Sequence, residues 1–444
     1  MNDRDFPKPD KAFSPSNGAK ELELDFDKIV GEGKTLGRAG GKVVFAYGVL
    51  PGERARIRVT REKKNFIEGE TVEIRRTSPL RKEPVEDHYL NCSPWQIMDY
   101  EFQAKTKKAL IEDLLYQTVK ESVPLESFHS PKNLYGYRTK IEYSFTEKDG
   151  KLAFAFHKRG AYYEKIILPK GCSLIGETAN EAALKILEKL NLAGVKQDKL
   201  KTLILRKASN TGDLLACLYT KDENLEFSCA DIKGLKGFML IYSNPVSSTS
   251  TADRILKTEG ADYVTEKIGG MEFDYGFDCF FQNNIELFET ALEEIRSSAP
   301  DFGRTLDLYS GVGVIGFYLR DRFEKLVSVE FSPSSSRYAG INAEKNGLKN
   351  CEIICSPGEK TQEEIFKSLN TVILDPPRAG LHKKVVKNIM AALPDRIIYL
   401  SCNPITQGRD ALFFLEKYRI AKAAGFDFYP NTPHAESLLI FEKK

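Results

Sequence analysis

Apolar positions change their spacing along the chain, and each change marks a different kind of element. In "ELELDFDKIVGEGKTLGRAGGKVVFAYGVLPGERARIRVTREKKNFIEGETVEIRRTSP" they alternate with period two, interrupted by Gly-Glu-Gly, Ala-Gly-Gly and Pro-Gly-Glu. Strand side chains alternate between faces, so this rhythm predicts about five short strands, the size of a small OB-like β-barrel. "DYEFQAKTKKALIEDLLYQTV" has helical spacing with Pro124 beyond it, which predicts one long amphipathic helix over 99–119. Between 130 and 270, strand-like pieces such as "YRTKIEYSFT", "KLAFAFHK", "TLILRKAS" and "DLLACLYT" accompany one clear helix, "NEAALKILEKLN". This predicts a mixed α+β region. Beyond about residue 275 the apolar strands "TLDLYS", "KLVSVEF", "CEIIC", "TVILDPP", "RIIYLSC" and "ESLLIFE" alternate with helical stretches such as "SRYAGINAEKNG" and "KKVVKNIMAAL". Strands apolar on both faces and separated by helices predict a parallel sheet covered on both sides, a doubly wound α/β domain. Ligands of such sheets sit outside the carboxyl ends of the strands.

The expected organisation is a flexible tail over 1–20, a barrel over 21–79, a central α+β domain over 80–270 and the doubly wound domain over 271–444. The 99–119 helix is able to pack on the last of these. Composition adds little: 41% hydrophobic and 29% charged residues are ordinary for a globular protein. With a formal charge of +2, any nucleic-acid surface must be local. One basic cluster, Arg54, Arg56, Arg58, Arg61, Lys63 and Lys64, has three members at period two. Such a face could track phosphates or simply be solvated. Neither a signal peptide nor a stretch of about 20 apolar residues is present, so no membrane partner and a cytoplasmic location are expected. The eight cysteines, at 92, 172, 217, 229, 279, 351, 355 and 402, lack a pairing rhythm and read as free thiols. Cys351 and Cys355 read as strand packing rather than a metal pair.

Candidate chemistry gathers at the predicted strand ends. The first strand runs into "LDLYSGVGVIGF", with Asp307, Gly311 and Gly313. Glycines admit close backbone approach, although a Gly-x-Gly turn is by itself a weak signal. Glu330 ends the next strand, 23 residues after Asp307, where a carboxylate can accept both hydroxyls of an adenosine ribose. S-adenosylmethionine, which has no phosphate, is expected at this turn in preference to NAD. The fourth strand ends in "VILDPPRAGL", whose prolines would hold Asp375 at the sheet edge or merely terminate the strand. The fifth ends in "SCNP", and the ends of strands four and five commonly lie side by side, which places Cys402 near Asp375. A cysteine is by default a small buried hydrophobe. Beside a methyl donor, a thiolate can instead add to C6 of a pyrimidine and make C5 nucleophilic, after which a base must remove the C5 proton. His434 and Glu436 both stand where the last strand enters, and the residues alone leave that choice open.

Together, "FFQNN", "DLYSGVGVIG", "VSVE", "LDPPRAGL", "YLSCNP" and "PHAE", in this order, resemble the RNA uracil-5 methyltransferases, which make 5-methyluridine. "LPGE" and "SPLRKEP" are similar to that family's amino-terminal TRAM barrel. The resemblance covers nearly the whole chain after the tail. It implies a Rossmann-like S-adenosylmethionine-dependent methyltransferase domain, a central RNA-recognition domain and a monomer acting on ribosomal or transfer RNA, with ribosomal RNA preferred because of the barrel. By position it implies Cys402 as nucleophile and Glu436 as proton-abstracting base. Cofactor contacts are implied for Gln282, Tyr309, Gly311, Gly313, Glu330 and Asp375, and RNA contacts for Phe280, Arg138 and Lys140. Phe280 is implied to stack near an extruded base, against the competing reading of a core phenylalanine.

Departures from the family pattern matter too. Ser310 stands where cysteine is frequent in the family, and Val314 where a polar residue is common, which by the resemblance implies one cofactor hydrogen bond fewer. Many members hold an iron-sulfur cluster on four cysteines, whereas only Cys92 and Cys172 occupy such positions here. No cluster is expected, with packing around Trp95 in its place. Two other functions compete. Cytosine-5 methylation is disfavoured because "DPPRAG" lacks a second cysteine. An RNA-binding or RNA-folding protein with a degenerate methyltransferase domain is the non-enzymatic alternative.

Overall fold

The computed structural model describes residues 20–444, so the tail expected over 1–20 lies, Lys20 apart, outside the described residues. The described chain divides into two compact units. One comprises the residues up to 106 together with 156–166 and 431–433; the other holds the remainder.

The first unit contains a closed barrel of β1 (Glu21–Ile29), β2 (Thr35–Ala39), β3 (Lys42–Tyr47), β4 (Arg54–Glu62) and β5 (Phe66–Arg76), in the order β1-β2-β3-β5-β4. The inward positions of the period-two pattern, among them Leu24, Phe26, Val44, Ala55, Ile57 and Ile67, form its core. The two quoted barrel motifs are tied together through one side chain. Glu53 of "LPGE" is fully buried and accepts hydrogen bonds from Ser78 N (3.1 Å) and from Arg81 Nε (2.6 Å) and Nη2 (2.7 Å) of "SPLRKEP". Of the three arginines at period two, Arg54 and Arg56 are ion-paired while Arg58 is exposed. Arg54 donates to Glu23 (2.8 Å) and Asp25 (3.0 Å), and Arg56 to Glu21 (2.7 Å) and Glu73 (2.9 Å). Cross-strand pairing of β4 with β1 and β5 sets these acids beside Arg54 and Arg56, which makes that part of the face a solvated ion-paired one. Trp95 is buried and donates from Nε1 to Gly33 O at 3.4 Å. A short α1 (Tyr89–Cys92) precedes the long α2 (Tyr100–Val119), whose first backbone N–H groups are capped by Asp99 Oδ1.

In the second unit, β6 (Ser127–His129) comes first. A mixed sheet then forms from β7 (Lys140–Lys148), β8 (Lys151–Lys158), β9 (Ala161–Ile167), β10 (Leu200–Lys207), β11 (Leu214–Thr220), β12 (Gly237–Tyr242) and β13 (Arg254–Gly260), with the outer part of the β8–β9 hairpin grouped with the first unit. Its order is β13-β12-β11-β10-β7-β8-β9. The predicted helix is α3 (Glu177–Leu192), burying Ala182, Ala183, Ile186 and Leu190 at helical spacing. A separate hairpin pairs β14 (Tyr263–Ile268) with β15 (Met271–Gly276).

The expected doubly wound domain contains α4 (Ile285–Ser297), β16 (Gly303–Leu308), α5 (Val314–Tyr318), β17 (Phe323–Glu330), α6 (Pro333–Lys345), β18 (Cys351–Cys355), β19 (Thr371–Leu374), α7 (Lys383–Ala392), β20 (Arg396–Ser401), α8 (Pro404–Phe414), β21 (Tyr418–Phe426) and β22 (Glu436–Lys443). Its strands lie in the order β18-β17-β16-β19-β20-β22-β21-β6. Alternate residues of one strand serve opposite faces: Ile397 and Tyr399 join Ile111 and Leu115 of α2, Val385 and Ile389 of α7 and Ala411 of α8, while Ile398 and Leu400 join Ile295, Phe317 and Ala339 of α4, α5 and α6. Burying each such side chain stabilises the fold by roughly 1.5–3 kcal/mol. The all-parallel expectation needs one correction. β16 to β20 pair in parallel, but β22 is inserted antiparallel between β20 and β21. A strand that follows its neighbour through a hairpin-type return must reverse direction, and the local pattern of "ESLLIFE" carries no mark of that. Among the described residues no helix is long and apolar enough to cross a membrane.

Candidate active site

The order of strands reverses between β16 and β19, and the residues of interest collect at the carboxyl ends around that point. After β16 the chain turns through Tyr309, a non-glycine residue at φ +65°, then Gly311 (+57°) and Gly313 (+93°) before α5. A left-handed tyrosine costs roughly 1–2 kcal/mol; two donations to Val329 O, from Tyr309 N (3.0 Å) and Ser310 N (3.2 Å), hold it there. At Gly313 a Cβ would lie 2.4 Å from the Phe317 ring, whereas a Cβ on Gly311 would meet nothing within 4 Å. Gly311 therefore faces open space.

Glu330, at the end of β17, accepts Gly311 N–H on Oε2 (3.0 Å) and Ser332 N–H on Oε1 (2.8 Å). Each oxygen keeps a second lone pair. The next residue, Phe331, is 68% exposed. Beneath the turn Asp307 accepts Gly316 N–H on Oδ2 (3.0 Å), and its carboxyl is pushed up to about 8 by burial. Asp307 Oδ1, Ser310 Oγ and Gln282 Oε1 are buried with no hydrogen-bond partner among the described residues.

At the end of β19, Asp375 accepts Gln282 Nε2–H at 3.1 Å. Burial raises the Asp375 carboxyl to about 7, the Gln282 bond partly opposing. Gln282 is held in turn by Thr139 Oγ1, which donates to its carbonyl at 2.9 Å. Two adjacent phenylalanines precede it and face opposite ways. Phe281 stacks on Tyr275, centroids 4.0 Å apart and 9° between planes, while Phe280 is 63% exposed. The core reading of Phe280 belongs to its neighbour.

The end of β20 faces the start of β22. Their antiparallel register pairs Ser401 with Ser437, so the next positions along it are Cys402 and Glu436. Asn403 then caps α8, its Oδ1 accepting Ile405 N–H at 3.2 Å, while its Nδ2 donates to Arg378 O at 2.9 Å. This ties the Cys402 turn to the loop that follows Asp375. The Cys402 thiol is half-buried and pushed up to about 11, by burial first and by the Glu436 charge second, with Arg378 opposing. Glu436 is buried, and burial, then Asp375, hold its carboxyl well above the usual range, Arg378 again opposing. His434, in contrast, is exposed outside β22 and contacts Arg378 Nη2 through Nδ1 at 3.3 Å.

The structure thus gathers Gln282, Tyr309, Gly311, Gly313, Glu330, Asp375, Cys402 and Glu436 along one edge. Arg138 lies beside Tyr137 and Tyr429, but Lys140 has Arg206 and Glu142 as its charged neighbours and is not joined to this group. Sequence reasoning passed over Arg378, Phe331, Asn283 and Tyr429. Arg378 and Phe331 each adjoin a flagged acid, a signal that proximity to Asp375 and Glu330 could have raised.

Residues 99–444 match the model of the tRNA (Uracil-5-)-methyltransferase family. A relative from Caldanaerobacter subterraneus subsp. tengcongensis, described as an uncharacterized RNA methyltransferase, is 32% identical over 95% of this chain and 97% of its own length. Another so described, from Bacteroides thetaiotaomicron, is 29% identical over 93% of this chain and 100% of its own. The crystal structure of Pyrococcus abyssi tRNA (uracil-54, C5)-methyltransferase with S-adenosyl-L-homocysteine has a similar fold, with a TM-score of 0.77 at 24% identity over 95% of this chain and 100% of that one. On its matched length and its relatives, this chain belongs to the tRNA (uracil-5-)-methyltransferase family.

Proposed function

We propose that the protein transfers a methyl group from S-adenosylmethionine to C5 of a uridine in structured RNA, with Cys402 as nucleophile and Glu436 as the base. The observation that carries this reading is that Cys402 and Glu436 flank the Ser401–Ser437 pair at the end of the β20–β22 ladder, with Asp375 at the end of neighbouring β19. The donor's pocket is supported by the turn itself. Glu330 offers two outward lone pairs for ribose hydroxyls, Phe331 an apolar surface of adenine size, and Gly311 the open approach. The unpartnered Asp307 Oδ1, Ser310 Oγ and Gln282 Oε1 are polar atoms a nucleoside and an amino-acid moiety can satisfy. α5 has five residues, too short for a phosphate site and suited to a ligand without one.

S-adenosylmethionine supplies the electrophilic methyl group. Cys402 Sγ, deprotonated, bonds to C6, and the C5=C6 electron pair moves into an enolate reaching O4. Once C5 carries the methyl group, the Glu436 carboxylate takes the C5 proton, the double bond re-forms and Cys402 leaves as thiolate. Arg378, next to both groups, favours their charged forms. His434, exposed and outside the strand, is the weaker base candidate.

In this reading 21–79 and 80–270 grip RNA, Phe280 and Arg138 meet the target nucleotide, and 271–444 performs the chemistry in a cytoplasmic monomer. Lys140 is a more peripheral RNA contact. No iron-sulfur cluster is included, since Cys92 and Cys172 supply only half of a four-thiolate set. Ribosomal RNA is the preferred target, and mapping 5-methyluridine in RNA with and without the protein tests it against transfer RNA. Cys402→Ala is expected to abolish methylation; an active Cys402→Ala protein refutes the mechanism. Failure to bind S-adenosylmethionine would instead favour a non-enzymatic RNA-binding protein.

A further inference from the structure

We infer that Tyr429 is a further catalytic residue, its hydroxyl donating to O4 of the target uracil with Asn283 setting the direction of that hydroxyl. The inference rests on the proposed addition of Cys402 to C6.

The backbone around Tyr429 is held on both sides. The buried Lys107 Nζ donates to Asp427 Oδ1 (2.5 Å) and to the Tyr429 carbonyl (2.9 Å). Phe428 is fully buried, edge-on to Phe288 with centroids 6.3 Å apart, and Pro430 O accepts the Tyr137 hydroxyl at 3.2 Å. The half-buried Tyr429 ring stands at 84° to the His434 ring, centroids 6.2 Å apart. Its hydroxyl has the Asn283 side chain as hydrogen-bond partner and Glu436, Cys402 and Arg138 as its titratable neighbours. Asn283 follows Gln282, the partner of Asp375, so this polar pair adjoins the reacting groups. Burial raises the phenol far above its ordinary range, so it stays protonated and able to donate.

A phenylalanine at 429 would fill the same ring volume. What tyrosine adds is a hydroxyl that is bonded to Asn283 and adjoins Cys402 and Glu436. When the sulfur bonds to C6, negative charge develops on O4 and nowhere else on the ring carbonyls, since only C4=O4 is conjugated with C5=C6. A fixed donor at O4 stabilises that enolate. Tyr429 transfers no proton: the enolate's electron pair forms the C5–methyl bond as the donor leaves as its thioether. The C5–H electrons freed when Glu436 takes that proton then re-form C5=C6 and expel sulfur as thiolate. Removing one such donor typically lowers turnover by about a hundred- to a thousand-fold.

The test uses full-length protein, S-adenosylmethionine and RNA from cells lacking this protein grown with 5-fluorouracil. Fluorine at C5 blocks proton abstraction, so the covalent adduct accumulates and its rate reports addition and methyl transfer alone. Tyr429→Phe is expected to slow adduct formation at least about tenfold, with S-adenosylmethionine affinity and melting temperature unchanged, and Asn283→Leu to slow it less. Adduct formation at the wild-type rate overturns the inference, including the case where only turnover on ordinary RNA falls, which would make Tyr429 a partner of Glu436. Slowing matched by lost cofactor affinity or stability also overturns it. An adduct on Cys402→Ala would refute the underlying mechanism instead.

Discussion

Replacing Glu436 by Gln keeps the size and hydrogen-bonding edge of the side chain but removes its basicity and charge. On ordinary RNA the methylated Cys402 adduct should then accumulate, because no group is left to take the C5 proton. The pH dependence follows from the site. With the Cys402 thiol at about 11, the thiolate fraction at pH 7.5 is ~3 × 10⁻⁴, about a hundredfold below that of a thiol two units lower. Adduct formation should therefore rise about tenfold per pH unit between pH 7 and 9. The Glu436 charge is the second cause of the raised thiol, so its removal should move this limb toward lower pH. Wild-type turnover needs both a thiolate and a Glu436 carboxylate, itself raised by burial, and should fall more steeply on acidification than the adduct rate of the Glu436→Gln protein. Denaturing-gel quantification of protein–RNA adduct across pH reads both slopes. Normal turnover by Glu436→Gln, or an adduct rate independent of pH, refutes the reasoning.

Burial raises Asp307 to about 8 and Asp375 to about 7, so the folded chain holds protons the unfolded chain has released. Stability from these groups is full below about pH 4 and is lost as pH rises through 7 to 8. Asp307→Asn should raise the melting temperature at pH 8.5, by on the order of a few kcal/mol in stability, and leave it unchanged near pH 4. Lys107→Met would take the ammonium away from the buried Asp427 carboxylate, costing about 3–5 kcal/mol in denaturant unfolding, most of it recovered by adding Asp427→Leu. Phe280→Ala should change stability by less than about 0.5 kcal/mol yet weaken methylation, whereas Phe281→Ala, removing the ring stacked on Tyr275, should cost about 3–5 kcal/mol.

Much of the architecture was legible along the chain because side-chain periodicity is a local property. Period two marked the barrel strands, helical spacing marked α2 and α3, and apolar strands punctuated by helices marked the sheet from β16 to β20. Polar residues in otherwise apolar strand ends, Asp307, Glu330, Asp375 and Cys402, stood out for the same reason. What depended on partners distant in sequence was not legible. Whether Phe280 or its neighbour faces solvent follows from Tyr275, and Arg54 and Arg56 are paired with acids about thirty positions away on β1. The antiparallel insertion of β22 brings Glu436, rather than His434, next to the Ser401–Ser437 pair that Cys402 follows. Burial and mutual charge then shift the titration of both, and neither quantity exists until the chain has folded. Sequence alone determined the chain's element types and the residues able to react, while tertiary structure decided which of them meet, because pairing and desolvation are long-range effects.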